Sequence, residues 1–285
     1  MPSGRIGVIG GSGFYELLEN PQEEKVTTPF GEPSDLITIG KIGGREVCFL
    51  PRHGRGHRIM PTDLPFQANI LAMKQLGVEW IISSSAVGSM KEDIKPGDMV
   101  IPDQFLDRTR QRRSTFFGDG CVAHISFADP VCRALSRVVA EAARDAGATV
   151  HEGGVYVCME GPQFSTRAES LLYRSWGVDV IGMTNLQEAK LAREAEICYA
   201  TVALATDYDC WYEGEEDVTI TQVIETMNRN VDMAKKIVET AVPRIPETRD
   251  CGCASAMQYG VMTAPEAIPP ATKEKLKDII GKYMR

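Results

Sequence analysis

A chain of 285 residues, 43% hydrophobic and 25% charged, carries enough apolar material for one large core or two modest ones, and is not disordered throughout. Its formal charge of −8 argues against a nucleic-acid partner, which needs a basic face to displace counterions from phosphates. No apolar run approaches membrane-spanning length, and the first residues lead into a strand without the regions of a secretory signal, so the expected location is the cytoplasm.

In chain order, the first β-branched run is RIGVI (5–9), which enters the glycine loop GVIGGSGFYE (7–16). Backbone amides at a strand-to-helix turn surround an anion when no side chains intervene. The dinucleotide fingerprint G-x-G-x-x-G, started at Gly11, meets Gly13 and then Glu16, a carboxylate where the third glycine packs helix on strand. Three readings stand here: a dinucleotide site on the looser Gly7, Gly10, Gly13 spacing, a single phosphate held by Ser12, or a turn without ligand.

Further runs follow at DLITIG (35–40), EVCFL (46–50), EWIISSS (79–85), DMVIP (98–102), GVYVCM (154–159), DVIGM (179–183) and YATVALAT (199–206). Several are apolar throughout, as buried strands are. Residues 65–77 and 129–147 place apolar side chains at helical spacing and end in glycine; Asp129 and Pro130 open the second. Residues 219–242 form the longest amphipathic pattern, with Val223 and Met227 on its apolar stripe. Alternating strands and helices predict an α/β fold with a mainly parallel sheet. Beyond about Pro246 the pattern loosens into small residues and proline before a helix over 272–284. The reading is a domain over 1–245 and a C-terminal extension over 246–285. The basic run RTRQRRS (108–114) lacks interleaved aromatics and is expected to be a solvated or subunit-facing loop.

Eight cysteines lack the paired C-x-x-C or Cys and His spacing of a zinc site, so no metal is expected. Cys251 and Cys253, one residue apart in an expected mobile tail, are either a strained redox-active disulfide or two free thiols.

Ligands of α/β sheets gather at the carboxyl ends of strands. Here those ends carry Arg52 and His53 after EVCFL, Ser85 and Ala86 within SSSAVGS, Phe164 and Ser165 after YVCM, Thr184 after VIGM, whose last residue is Met183, and Asp207 to Cys210 after VALAT. Arginine presents a planar fork to an anion and histidine adds a donor, so with Ser12, Ser85 and Thr184 they compose an oxyanion cage. Each has a plainer reading: a surface arginine, a satisfied core histidine, a serine turn. Asp207 and Asp209 end an apolar strand, where a carboxyl is pushed to hold its proton, or else caps a helix.

Taken together, IGGSG, RHGRGH, SSSAVGS, EGPQFSTRAES and ATDYDCW resemble the S-methyl-5'-thioadenosine phosphorylase family of the trimeric purine nucleoside phosphorylases, in family order over about residues 5 to 245. The resemblance implies a mixed, mainly parallel, partly barrel-like sheet flanked by helices, a homotrimer or dimer of trimers, and inorganic phosphate as co-substrate with no cofactor. By the same likeness Ser12, Arg52, His53, Ser85, the Ala86 backbone and Thr184 would bind phosphate. Met183 would lie beneath the ribose, Phe164 against the base, and His57 near sugar and phosphate. His124 would serve the 5' substituent of a neighbouring subunit. Asp207 would protonate the departing purine, with Asp209 assisting. Asp207 and Ser165, where 6-oxopurine enzymes carry Asn and Glu, imply adenine; Val223 and Met227 are candidates for a 5' pocket. The implied reaction releases adenine and 5-methylthioribose 1-phosphate. Adenosine phosphorolysis, a broader purine nucleoside phosphorylase, hydrolysis, and a nucleotide-binding or redox-sensing module are the alternatives. One departure is visible: the family's Met-Thr-Thr-Val-Pro-Glu reads Met183-Thr184-Asn185-Leu186-Gln187-Glu188 here, without the proline that stiffens the turn.

Overall fold

The computed structural model describes residues 4–11, 13–213 and 220–284, the last with backbone alone over 220–224. Ser12 and the side chain of Val223 therefore lie outside the described residues. The strands are β1 (Arg5–Gly10), β2 (Glu19–Glu24), β3 (Ile37–Ile42), β4 (Arg45–Pro51), β5 (Val78–Ser89), β6 (Met99–Ile101), β7 (Gln104–Arg108), β8 (Val150–Glu152), β9 (Val155–Met159), β10 (Val180–Gly182) and β11 (Cys198–Tyr208). The helices are α1 (Phe66–Gln75), α2 (Arg133–Asp145), α3 (Arg167–Ser175), α4 (Asn185–Glu194), α5 (Ile220–Ala241), α6 (Pro270–Lys275) and α7 (Lys277–Ile280).

β5 is the branch point of the sheet. Its first half lies parallel between β1 and β11, with Ile9 beside Ser83 and Ala200 beside Ile82. Past the end of β1, its free edge is taken by β10 in the opposite direction, Val180 beside Ser89 and Ile181 beside Gly88. A ring results: β5 pairs β11, β11 pairs β6, β6 runs on as β7 against β9, β9 pairs β10, and β10 returns to β5. That ring is the barrel-like part of the sheet. β4, β3 and β2 extend β1 as an open wing.

Alternation along the strands divides the core. Ile6, Val8, Trp80, Ile82, Ala200 and Val202 face α2 and α5. Ile9, Ile81 and Tyr199 face α1, α4 and the C-terminal extension. The runs at 5–9, 46–50, 79–85 and 199–206 are each strands, longer than their apolar letters because pairing continues through Gly88 and Asp207.

Several elements differ from expectation. α2 begins at Arg133, with Cys132 as its N-cap residue, and Asp129 instead accepts from Arg133 at 2.5 Å. The helix expected over 272–284 is broken into α6, α7 and a 3₁₀ turn. The extension expected to be a mobile tail packs on the body: Cys253, Met257, Ile268, Leu276 and Ile279 are buried and Cys251 is half-buried. β2 (ENPQEE) is exposed along its length and so shows no apolar alternation. α3 escapes the apolar pattern too, though its capping box was readable: Thr166 accepts from the Glu169 amide, and Glu169 accepts from that of Thr166.

Candidate active site

The first floor of the site is polar and sealed. Arg52, 3% exposed, follows β4, and its amide donates to Gly10 O at the end of β1. Its guanidinium donates from Nε to Glu188 Oε1 at 2.6 Å, from Nη2 to Ser83 Oγ at 2.6 Å and Glu188 Oε2 at 3.3 Å, and from Nη1 to Ser84 O at 2.9 Å. Arginine has five N–H donors, so one remains for a ligand. The expectation of Arg52 as an open anion fork is thus corrected: Glu188, 1% exposed, already neutralises it. A charge out of water needs a partner, and Glu188 is it.

Asn185 organises the second floor. Its amide Nδ2 lies 3.0 Å from both Ser83 Oγ and Tyr199 OH, and 3.2 Å from Thr201 Oγ1. Its Oδ1 accepts from Ser85 Oγ at 2.5 Å and Thr184 Oγ1 at 3.4 Å. Ser85 and Thr184, 99 positions apart in the chain, meet here because antiparallel β10 aims its end back along β5. Ala86, next on β5, is exposed.

His53 joins floor to surface. Ile59 O, 2.8 Å from Nδ1, can only accept, so Nδ1 carries the proton and Nε2 of the neutral ring keeps a lone pair. Burial pushes the imidazole down to about 4, and the Arg52 charge adds to that. His57, exposed, stacks on it with centroids 4.2 Å apart.

Asp207 stands where β11 slips register against β5, the irregularity falling between Ala205 and Asp207. A bulge re-aims the side chain it carries. Opposite is Gly88, where a Cβ would come within 3.3 Å of Asp207 Oδ1 and 3.4 Å of Asp209 Cβ; a larger residue would crowd both acids. Burial raises the Asp207 carboxyl above the usual range, and the nearby Asp209 charge pushes the same way, against a 2.6 Å bond from Thr206 Oγ1. Asp209 Oδ2 is buried without a hydrogen-bond partner.

The remaining expected residues form a rim. Cys210 Sγ lies 3.4 Å from Ser165 O, which draws the Phe164 loop to the end of β11. Phe164 is nonetheless 83% exposed. Met183 packs its sulfur against Gly161, where a Cβ would be 2.6 Å away and φ is +68°. His124 is exposed, and its amide donates to Gly260 O at 2.8 Å, so the C-terminal extension holds its loop. Met227, 45% exposed, is not brought against the acids by any described contact.

Sequence reasoning missed Arg112, which it left in a solvated or subunit-facing loop. Its side chain is fully buried, donates to Glu160 Oε1 at 2.9 Å and Gln187 Oε1 at 3.1 Å, and also reaches the carbonyls of Glu160 and Met183. It thereby ties the β9 end to the β10 end. Gln187, in place of the family's proline, completes the clamp by donating to Thr109 Oγ1 at 2.8 Å. Hydrogen bonds hold the turn that a fixed φ would otherwise stiffen. Glu188 and Asn185 were missed as well, since only their contacts reveal them.

A ring-closed α/β sheet with an arginine, two hydroxyls and a half-buried carboxyl of raised pKa at its strand ends is the frame of a phosphorolytic enzyme. The sequence profile of the phosphorylase superfamily matches residues 5–243. S-methyl-5'-thioadenosine phosphorylases of Koribacter versatilis and Geobacter sulfurreducens are 59% and 60% identical, covering 98% of this chain and 96% and 99% of their own. A methylthioadenosine phosphorylase from an Antarctic soil metagenomic library superposes with TM-score 0.93 at 47% identity, over 98% of this chain and 99% of that one. A methylthioadenosine phosphorylase of Schistosoma mansoni, in complex with adenine, gives 0.83 at 36% identity over 89% and 96%. The chain belongs to the S-methyl-5'-thioadenosine phosphorylase family of that superfamily.

Proposed function

We propose that this chain cleaves S-methyl-5'-thioadenosine with inorganic phosphate, releasing adenine and 5-methylthioribose 1-phosphate. One observation carries the reading: Asp207, a carboxyl that burial raises above its ordinary range, lies three positions past the Ser85 register on paired strands. At about 3.3 Å per residue that is roughly 10 Å, room for a ribose between an anion and a proton donor. As the glycosidic bond lengthens, positive charge grows on the sugar and negative charge on the base. Asp207 protonates the imidazole-ring nitrogen of the purine, with Asp209 assisting.

Phosphate sits on the opposite side, held by Ser12, the last Arg52 donor, His53, Ser85, the Ala86 backbone and Thr184. It is both nucleophile and counterion, and fixing it removes much of the entropic cost of attack. His53 Nε2, which keeps a lone pair, accepts a hydrogen bond from the P–O–H of hydrogen phosphate. Met183 lies under the ribose, Phe164 over the base, His57 near sugar and phosphate, and His124 of a neighbouring subunit at the 5' substituent. Adenine is preferred over hypoxanthine because Asp207 and Ser165 match an amino group, and a mismatched buried polar pair costs about 1–3 kcal/mol. The working form is a cytoplasmic homotrimer or dimer of trimers, and phosphate is the one co-substrate, with no cofactor. No helix of the described residues is long and apolar enough to cross a membrane.

The test follows base release from methylthioadenosine, adenosine and inosine, each with and without phosphate. Adenine release from methylthioadenosine is expected to require phosphate; equal rates without it would make the enzyme a hydrolase, and faster inosine cleavage would remove the base assignment. Asp207→Asn is expected to lower kcat/KM for methylthioadenosine by about 10²–10⁴ and shift preference toward 6-oxopurines.

A further inference from the structure

Away from the site, four cysteines from three parts of the chain meet at the junction of body and extension. Cys132 is the N-cap residue of α2, Cys198 opens β11, and Cys251 and Cys253 flank Gly252. All four are free thiols, and their sulfurs lie within 4.8 Å of one another. Cys251 Sγ is 3.8 Å from Cys132 Sγ and 3.4 Å from Cys198 Sγ. Four sulfurs about 2.3 Å from a common tetrahedral centre are ~3.8 Å apart. The observed group has that size.

Burial fits the same chemistry. Cys132 is 3% exposed, Cys198 0% and Cys253 6%, while Cys251 is half-buried and leaves a path for an ion. Cys132 stands at the N-terminus of α2, where the helix dipole offsets negative charge. The sequence hid this group because structural zinc motifs are recognised by close spacing, whereas these positions are 66 and 53 residues apart before the final pair.

We infer that Cys132, Cys198, Cys251 and Cys253 form a structural tetrathiolate site for Zn²⁺ that staples the C-terminal extension to α2 and β11. Four thiolates in tetrahedral array suit zinc, which has no redox chemistry of its own. Binding replaces four S–H bonds by four Zn–S bonds and releases four protons to solvent, leaving a net charge of −2 on the group. From Cys253 the chain runs to buried Met257, whose amide donates to Glu196 Oε1 at 3.0 Å, and on to Gly260, which holds the His124 loop. The staple thus steadies one wall of the rim from a distance.

Untagged chain purified under reducing, oxygen-free conditions is the material for the test. Elemental analysis is expected to give about one zinc per chain, as a closed four-ligand site requires. Cobalt(II) added to chelator-treated protein is expected to show the absorption of a tetrahedral tetrathiolate, and added zinc to raise the Tm of that protein. Cys253→Ser is expected to lose the metal, whereas Cys210→Ser, outside the group, keeps it. Because Cys253→Ser can fail to fold, the cobalt spectrum of the unaltered chain decides independently. A chain that takes up no zinc and gives a cobalt spectrum without sulfur-to-metal bands overturns the site. So does mass spectrometry that finds these four cysteines paired as disulfides in freshly purified protein.

Discussion

Arg52 is 3% exposed and Phe164 is 83% exposed, yet both are proposed to meet ligands of one site. Around Arg52 nearly every polar group is satisfied inside the chain, by Glu188, Ser83, Ser84 and Asn185. Around Phe164 the chain supplies position and leaves the contact to whatever arrives. The contrast has a physical origin. A charge that binds phosphate must be aimed before the anion comes, and aiming it in a dry interior demands a counter-charge. An aromatic face that meets a base needs no partner while it waits.

Removing the counter-charge tests the floor most severely. Glu188→Ala leaves Arg52 buried and uncompensated, and is expected to cost about 3–5 kcal/mol of folding stability, read from urea unfolding. A loss below about 1 kcal/mol would mean that water reaches Arg52 and that the floor is no more finished than the rim.

His53 spans the two regions, and pH separates its contributions. Its folded value is depressed to about 4, so the ring contributes fully above the ordinary value near 6.5 and that stability is lost as pH falls toward 4. Between pH 7 and pH 5 the unfolded chain binds the extra proton, and about 1–2 kcal/mol should disappear. His53→Gln should flatten that part of the profile; an unaltered slope would place the titration elsewhere.

Phe164→Ala is the gentlest of the three. Stability is expected to move by no more than about 0.5 kcal/mol, since the ring packs on little within the chain. KM for methylthioadenosine should rise about tenfold with kcat nearly kept, a loss of roughly 1.4 kcal/mol of binding. A drop in Tm instead would show the ring already buried, for instance against a second subunit.

Much of the frame was legible in the letters. Apolar runs marked eight of the strands, and the residues after them, Arg52, Ser85, Thr184 and Asp207, are those that the structure gathers at the strand ends. Strand β2 and the clamp of Arg112 were not legible, one for lack of apolar letters and the other because a buried arginine has the same letters as a solvated one.

What the sequence determined by itself is the α/β class, the places of eight strands and the family to which the residues around their ends are similar, because burial periodicity and short motifs are local. Only the tertiary structure decided that Glu188 meets Arg52, that Thr184 reaches Ser85 through a reversed strand, and that four distant cysteines share one point. Those outcomes depend on register and direction between segments far apart in the chain, which no local pattern of residues specifies.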